Sequence, residues 1–134
     1  MSKLFLLAIT VGLSLGAVSV AVPVQKSFAA GSPPTRVGEC VSSRIQKIGF
    51  RLGTPGSGSA VLLANGIPQV SYDQVAAVDN SRAGDPVLTC LVSVPKLDNY
   101  CREGDERGRI FKTTNRRTGA SWSLPNSAHA CGGA

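Results

Sequence analysis

Residues 59–72 read SAVLLANGIPQVSY, two short apolar runs on either side of Asn65-Gly66. An Asn-Gly pair is the preferred two-residue loop of a type I′ hairpin, because both positions need positive φ. With that loop Leu63 faces Pro68, Val61 faces Val70 and Ser59 faces Tyr72. One side of the hairpin then carries Val61, Leu63, Pro68, Val70 and Tyr72, an apolar face for a core. Pro68 falls at a non-hydrogen-bonded site, with its missing donor turned away from its partner, so its strand belongs at an edge or a bulge.

The flanking segments read in the same way. In Cys40 to Leu52, CVSSRIQKIGFRL, Val41, Ile45 and Ile48 suit a helix while Ile48, Phe50 and Leu52 alternate as in a strand, and the two Ser and the Gly lower helix propensity, so a strand is expected. The TPGSGS run that follows is a loop. It lacks the G-K-[ST] whose lysine and hydroxyl handle phosphate and magnesium. DQVAAVDNSR, residues 73–82, offers Asp73 as an N-cap with Val75 and Val78 on one face, which predicts a single helical turn or an irregular link. Val87 to Val94, VLTCLVSV, is the most apolar stretch after the N-terminal segment and reads as a central strand ended by Pro95. Beyond a polar loop, Arg109 to Asn115 resumes strand character. Asn115-Arg-Arg-Thr-Gly119 fits a type I turn closed by a left-handed glycine, and Ala120 to Leu124 returns with Ala120, Trp122 and Leu124 on one side. Trp122 is expected in the core. The sum is an all-β domain, a small partly open β-barrel or a sandwich of five to six short strands.

The N-terminus is of a different kind. From Leu4 to Val24 there is no charge, and Ser27-Phe28-Ala29 supplies the small residues of a cleavage site. Residues 1–29 therefore read as a secretory signal peptide, with an alternative cut after Ala21. Gly12, Gly16 and Pro23 argue against a permanent anchor. Residues 30–38, with Pro33-Pro34, are a flexible lead-in, and 39–134 a single small domain. Without Lys3 and Lys26, 12 of the 14 basic residues remain against 8 acidic ones, a mildly basic balance that attracts anionic partners.

Cys40, Cys90, Cys101 and Cys131 all follow the signal, and an exported domain of this size needs cross-links. Three pairings are possible. Cys40 and Cys90 lie in strand-like runs, whereas Cys101 and Cys131 lie in Gly-rich polar segments, which favours Cys40 with Cys90 and Cys101 with Cys131. A zinc site through His129 and Cys131 lacks a C-x-x-C and a second close ligand pair. No metal or cofactor is expected.

Catalysis would have to use His129, the only histidine, in a hydrolase-type arrangement. A paired Cys131 is no nucleophile, so no catalytic residue is assigned. Asp105 and Glu106 sit among arginines, as in a solvated ion-pair loop. Arg102, Arg107, Arg109, Lys112, Arg116 and Arg117 outnumber the nearby carboxylates and lie close to Tyr100, Phe111 and Trp122. That cluster is the candidate surface for an anionic polymer, glycan or single-stranded nucleic acid. The leading expectation is a non-catalytic periplasmic or secreted binding module whose partner is a macromolecule of the envelope or beyond.

NGIPQVSYD, SRAGDPVLTCLVSVP, GDERGRIF and TTNRRTGASWSLPNSAHACGGA together resemble a family of short exported proteobacterial proteins without an established activity. The likeness runs from Cys40 to Ala134, and N-x-R-T-G-x-x-W and H-x-C-G-G carry most of it. KLDNYCREGD departs from the shorter, Pro-containing segment usual there. The resemblance implies export and domain extent, and no catalytic residue. Thiol titration of the denatured, unreduced protein is expected to find none of the four cysteines reactive.

Overall fold

A computed structural model describes residues 18–22 and 30–133, so the segment read as a signal, including Ala29, lies largely outside the described residues. Six strands follow one another with one helical turn between the third and fourth: β1 (Cys40–Phe50), β2 (Ser59–Leu63), β3 (Pro68–Val70), α1 (Ala76–Asp79), β4 (Pro86–Ser93), β5 (Ile110–Asn115) and β6 (Ser121–Pro125). All pair antiparallel in one sheet of order β3-β2-β1-β4-β5-β6, curled into a half-barrel. β1 is the pivot of the curl. Residues 40–44 pair with β4, residues 45–50 pair with β2, and a bulge between Ile45 and Lys47 bends the strand where it changes partner.

The hairpin that suggested the fold has a different register from the one its Asn-Gly implies. Ala60 pairs with Val70, Val61 with Gln69 and Leu62 with Pro68, one residue away from the expected alignment. The loop has three residues, not two. Gly66 N–H donates to Leu63 O, Leu63 N–H donates to Ile67 O, and Gly66 supplies the positive φ of 87° while Asn65 stays in the right-handed half. This is a type I turn closed by a glycine bulge, the three-residue alternative to the type I′ loop. A one-residue slip exchanges the two faces of a strand. Val61 and Leu63 therefore share the interior with Ile67 and Gln69, and Pro68, Val70 and Tyr72 turn outward. Pro68 does sit on an edge strand, as its missing donor requires.

The interior holds Ile45, Val61, Leu63, Ile67, Val78, Val87, Leu91, Phe111 and Trp122 around a buried polar line. Gln69 is fully buried; its Nε2 donates to Phe111 O at 2.8 Å, and its Oε1 accepts from Thr113 Oγ1 at 2.7 Å and Trp122 Nε1 at 3.0 Å. Thr113 also bonds Thr89 across β4 and β5. The side chain of one edge strand thereby meets the wall built by β5 and the other edge strand. Outside that line, Tyr72 Oη donates to Ala128 O across the same seam at 2.9 Å.

Two locks hold the ends. Asp85 and Ser81 both accept from Asn115 Nδ2, Asp85 pairs with Arg117, and Asn115 Oδ1 accepts the Arg117 and Thr118 N–H groups. The S-R-x-G-D and N-x-R-T-G segments are thus the two halves of one joint. At the other end Arg107 forks onto Asp105 and donates to Gly133 O, while Asp105 accepts Gly132 N–H. Gly132 has φ of 73°, and a Cβ there would lie 2.2 Å from Tyr100 O, which explains the glycine after Cys131.

The disulfides pair as the segments suggested, Cys40 with Cys90 and Cys101 with Cys131. In the chain-entropy account, loops of these lengths contribute roughly 3 to 4 kcal/mol each. The helical turn is entered differently from the expectation. Its N-cap is Val75, without a side-chain cap, and Ser59 Oγ accepts Val75 N–H while donating to Asp79. Part of the lead-in packs on the sheet, with Pro34 buried and Gly31 N–H donated to Ser42 O.

Replacing Gln69 by Leu keeps the volume and removes every partner of the Trp122 indole N–H. An unsatisfied buried donor costs about 1–3 kcal/mol, so Gln69→Leu is expected to lose about 2–4 kcal/mol once the Thr113 and Phe111 contacts are included. Urea denaturation followed by the fluorescence of Trp122 measures it; an unchanged midpoint would show that the seam does not depend on this amide.

Candidate functional site on the outer face of the sheet

The six cationic residues proposed from the sequence are not brought to one place. β5 separates them into two ends, with Arg102, Arg107 and Arg109 before it and Arg116 and Arg117 after it, while Lys112 projects outward from its middle. Three are already engaged: Arg107 with Asp105 at 2.7 Å, Arg109 with Glu106 at 3.1 Å, and Arg117 with Asp85. Arg102 and Arg116 are exposed in loops. Phe111 and Trp122 are buried in the core and offer no stacking surface there. Both Cys131 and Cys101 are oxidised, and His129 is exposed, with no hydrogen bond to its imidazole among the described residues.

The electrostatics of the locks are structural. The Arg117 guanidinium beside Asp85, against the opposing effect of its burial and with help from the Asn115 amide, holds that carboxyl well below the usual carboxylate range. The Arg107 guanidinium does the same for Asp105, joined by the Gly132 N–H. Both carboxylates are thus held charged by their arginine partners.

The strands themselves show a segregation that the sequence conceals. None of the six contains Asp or Glu. Arg44 and Lys112 fall on the outward set of the alternation, opposite the buried set of Ser43, Ile45, Thr89, Phe111 and Thr113, and Lys47, which shares the parity of Ile45, is turned outward by the bulge between them. Arg44 Nη1 donates to Gly84 O at 3.0 Å. Hydroxyls fill much of the rest, with Thr114 and Ser121 bonded side by side on β5 and β6.

At the β1–β3 end this outer face forms a trough of about 280 Å3. Its rows follow from the register. Lys47, Leu62 and Pro68 lie abreast, and beside them Gly49, Ala60 and Val70. The opposed Gly49 and Ala60 keep the floor low, and nothing lies within 4 Å of where a Gly49 Cβ would stand. Beyond the strand end Arg51 N–H bonds Gly58 O, and the Arg51 guanidinium stacks on the Tyr72 ring at 4.0 Å. Lys47 follows the β1 bulge, a position that re-aims a side chain relative to regular pleating. The trough is therefore mostly apolar, with Lys47 as the charged residue of its lining.

Lys47, Gly49, Arg51 and Tyr72 were missed as site residues because the expected register placed Pro68, Val70 and Tyr72 in the core. Comparison with known proteins gives no further guide: no family model, no curated protein and no solved structure matches the chain.

Because the folded-state pKa of Asp85 lies below its unfolded value, its pairing stabilises the fold above the ordinary Asp range and fades as pH falls below about 4. The stability difference between the native protein and Asp85→Asn is expected to be constant from neutrality to about pH 5 and to shrink below about pH 4. A difference that stayed flat down to about pH 2 in acid-titrated denaturation curves would mean that Asp85 is not held charged by Arg117.

Proposed function

We propose that this protein is a non-catalytic binding module of the periplasm or the extracellular space, with the outer face of its sheet as the binding surface. Two disulfides indicate an oxidising, non-cytoplasmic location. The finer assignment to periplasm or secretion rests on the reading of residues 1–29 as a signal, together with the resemblance carried by Cys40 to Ala134.

The observation that carries the functional reading is the segregation of charge on the strands. An outward face with Arg44, Lys47 and Lys112 and no strand carboxylate is complementary to an anionic partner. The four sulfurs are bonded in pairs and Asp85 and Asp105 are tied to arginines, so the exposed His129 has no thiol for a Cys–His pair. An anionic-polymer site along the Arg102 to Arg117 segment has less support, since Arg107, Arg109 and Arg117 are each neutralised by a carboxylate.

Photo-crosslinking residues placed at Ser42, Lys112 and Ser123 on the outer face, and at Asp98 and Glu103 in the loop as controls, test the reading in cells. Discrete adducts are expected from the outer-face positions and not from the controls. Adducts from the loop positions alone, or from none, would remove the outer face as the binding surface.

A further inference from the structure

Resting on the outer face as the binding surface, we propose that the Gly49–Ala60 trough is an anchor pocket for one large apolar side chain of an acidic protein partner. Three features select that occupant. The first is size. At about 280 Å3 and open on one side, the trough lies just below the range of about 300–1,000 Å3 in which pockets enclose small molecules. It suits one aromatic or leucine side chain, the kind of buried anchor that dominates protein interfaces.

The second is charge. Lys47 is the charged residue of the trough lining, and no carboxylate occurs in the rows Lys47–Leu62–Pro68 and Gly49–Ala60–Val70; Arg51, beyond the end of β1, keeps its charge while stacked on Tyr72 and bonded to Ser57 O. An apolar anchor with carboxylates beside it meets complementary charge; one flanked by lysines meets repulsion. The same argument disfavours a second copy of this chain docked face to face, which would set Lys47 and Arg44 against their own counterparts. The third is shape. The trough is a hollow in the sheet surface, with Leu62 and Val70 half-buried and Phe50 and Pro68 as the exposed apolar members of its lining, a shape that receives one side chain.

Gly49 makes the proposal testable. It has no positive φ, and space is open around its Cβ position, so Gly49→Val fills the trough from below and also raises strand propensity. The probes are three capped synthetic peptides: a central Phe between glutamates, a central Ala between glutamates, and a central Phe between lysines. Each is titrated into 15N-labelled, oxidised protein and followed by amide shifts.

The Glu-flanked Phe peptide is expected to shift Gly49, Ala60, Leu62 and Val70 saturably. The other two peptides should bind at least about 10-fold more weakly. Gly49→Val should abolish the shifts while leaving the thermal midpoint equal or higher, and the exposed-site variant Lys47→Glu should weaken binding of the Glu-flanked peptide and strengthen that of the Lys-flanked one. Equal binding of the Ala peptide, binding insensitive to Gly49→Val, or no saturable binding overturns the pocket. Saturable shifts confined to Lys112, Thr114 and Ser123 would overturn the pocket while leaving the outer face as the binding surface. Sedimentation with phosphatidylglycerol-containing phosphatidylcholine vesicles that Gly49→Val does not alter, in the absence of peptide binding, would give the face to lipid and overturn the protein-anchor assignment.

Discussion

One buried amide ties the two edges of the half-barrel together from inside. Six antiparallel strands in a single curled sheet leave two edges, β3 and β6, and no strand pairing joins them. Gln69 bridges the gap with its side chain, reaching Phe111 O, Thr113 Oγ1 and Trp122 Nε1 in an environment from which water is excluded. A buried amide bonded through both its oxygen and its nitrogen favours one arrangement, because a slip strands these groups at a cost of about 1–3 kcal/mol each. Gln69 accordingly fixes the register of β3, and the register decides which residues face out. Pro68 and Val70 line the trough because Gln69 occupies the interior position between them.

This organisation uses several of the polar and charged residues in holding the domain together. The Asp85–Asn115–Arg117 joint fastens the link before β4 to the β5–β6 turn, and Asp105 with Arg107 fastens the C-terminal tail beside the Cys101–Cys131 bridge. The segments with the most distinctive residue patterns are therefore the ones with structural duties. The outer face carries fewer such contacts, among them Arg44 to Gly84 O and Thr114 to Ser121, and the composition of the strands has left it basic, hydroxyl-rich and without strand carboxylates. Its apolar trough exists because two small residues, Gly49 and Ala60, are directly opposed on adjacent strands.

Much of the fold was legible. The alternation in Cys40 to Leu52, the apolar run from Val87, and the turn glycines at Gly66 and Gly119 gave the strands and the places where the chain reverses. The disulfide partners followed from the character of their segments. Asp73 failed as a cap because Ser59, brought from β2 by the hairpin, accepts the Val75 N–H instead. The candidate site was far less legible. The cationic run from Arg102 to Arg117 looked like a surface because its carboxylate partners are both local, as Asp105 and Glu106 are, and remote, as Asp85 is.

Local chemistry therefore determined that this chain forms a small, disulfide-braced, antiparallel β domain, since strand periodicity, turn residues and cysteine placement all act over short distances. Tertiary structure alone decided the hairpin register. Asn65-Gly66 is compatible with a two-residue and a three-residue loop, and Pro68 sits at a non-hydrogen-bonded position in both. Only the far wall, with its carbonyl, hydroxyl and indole waiting for an amide, makes the alignment that buries Gln69 the stable one. That choice of one residue's place turned an expected core face into the outer surface and created the trough.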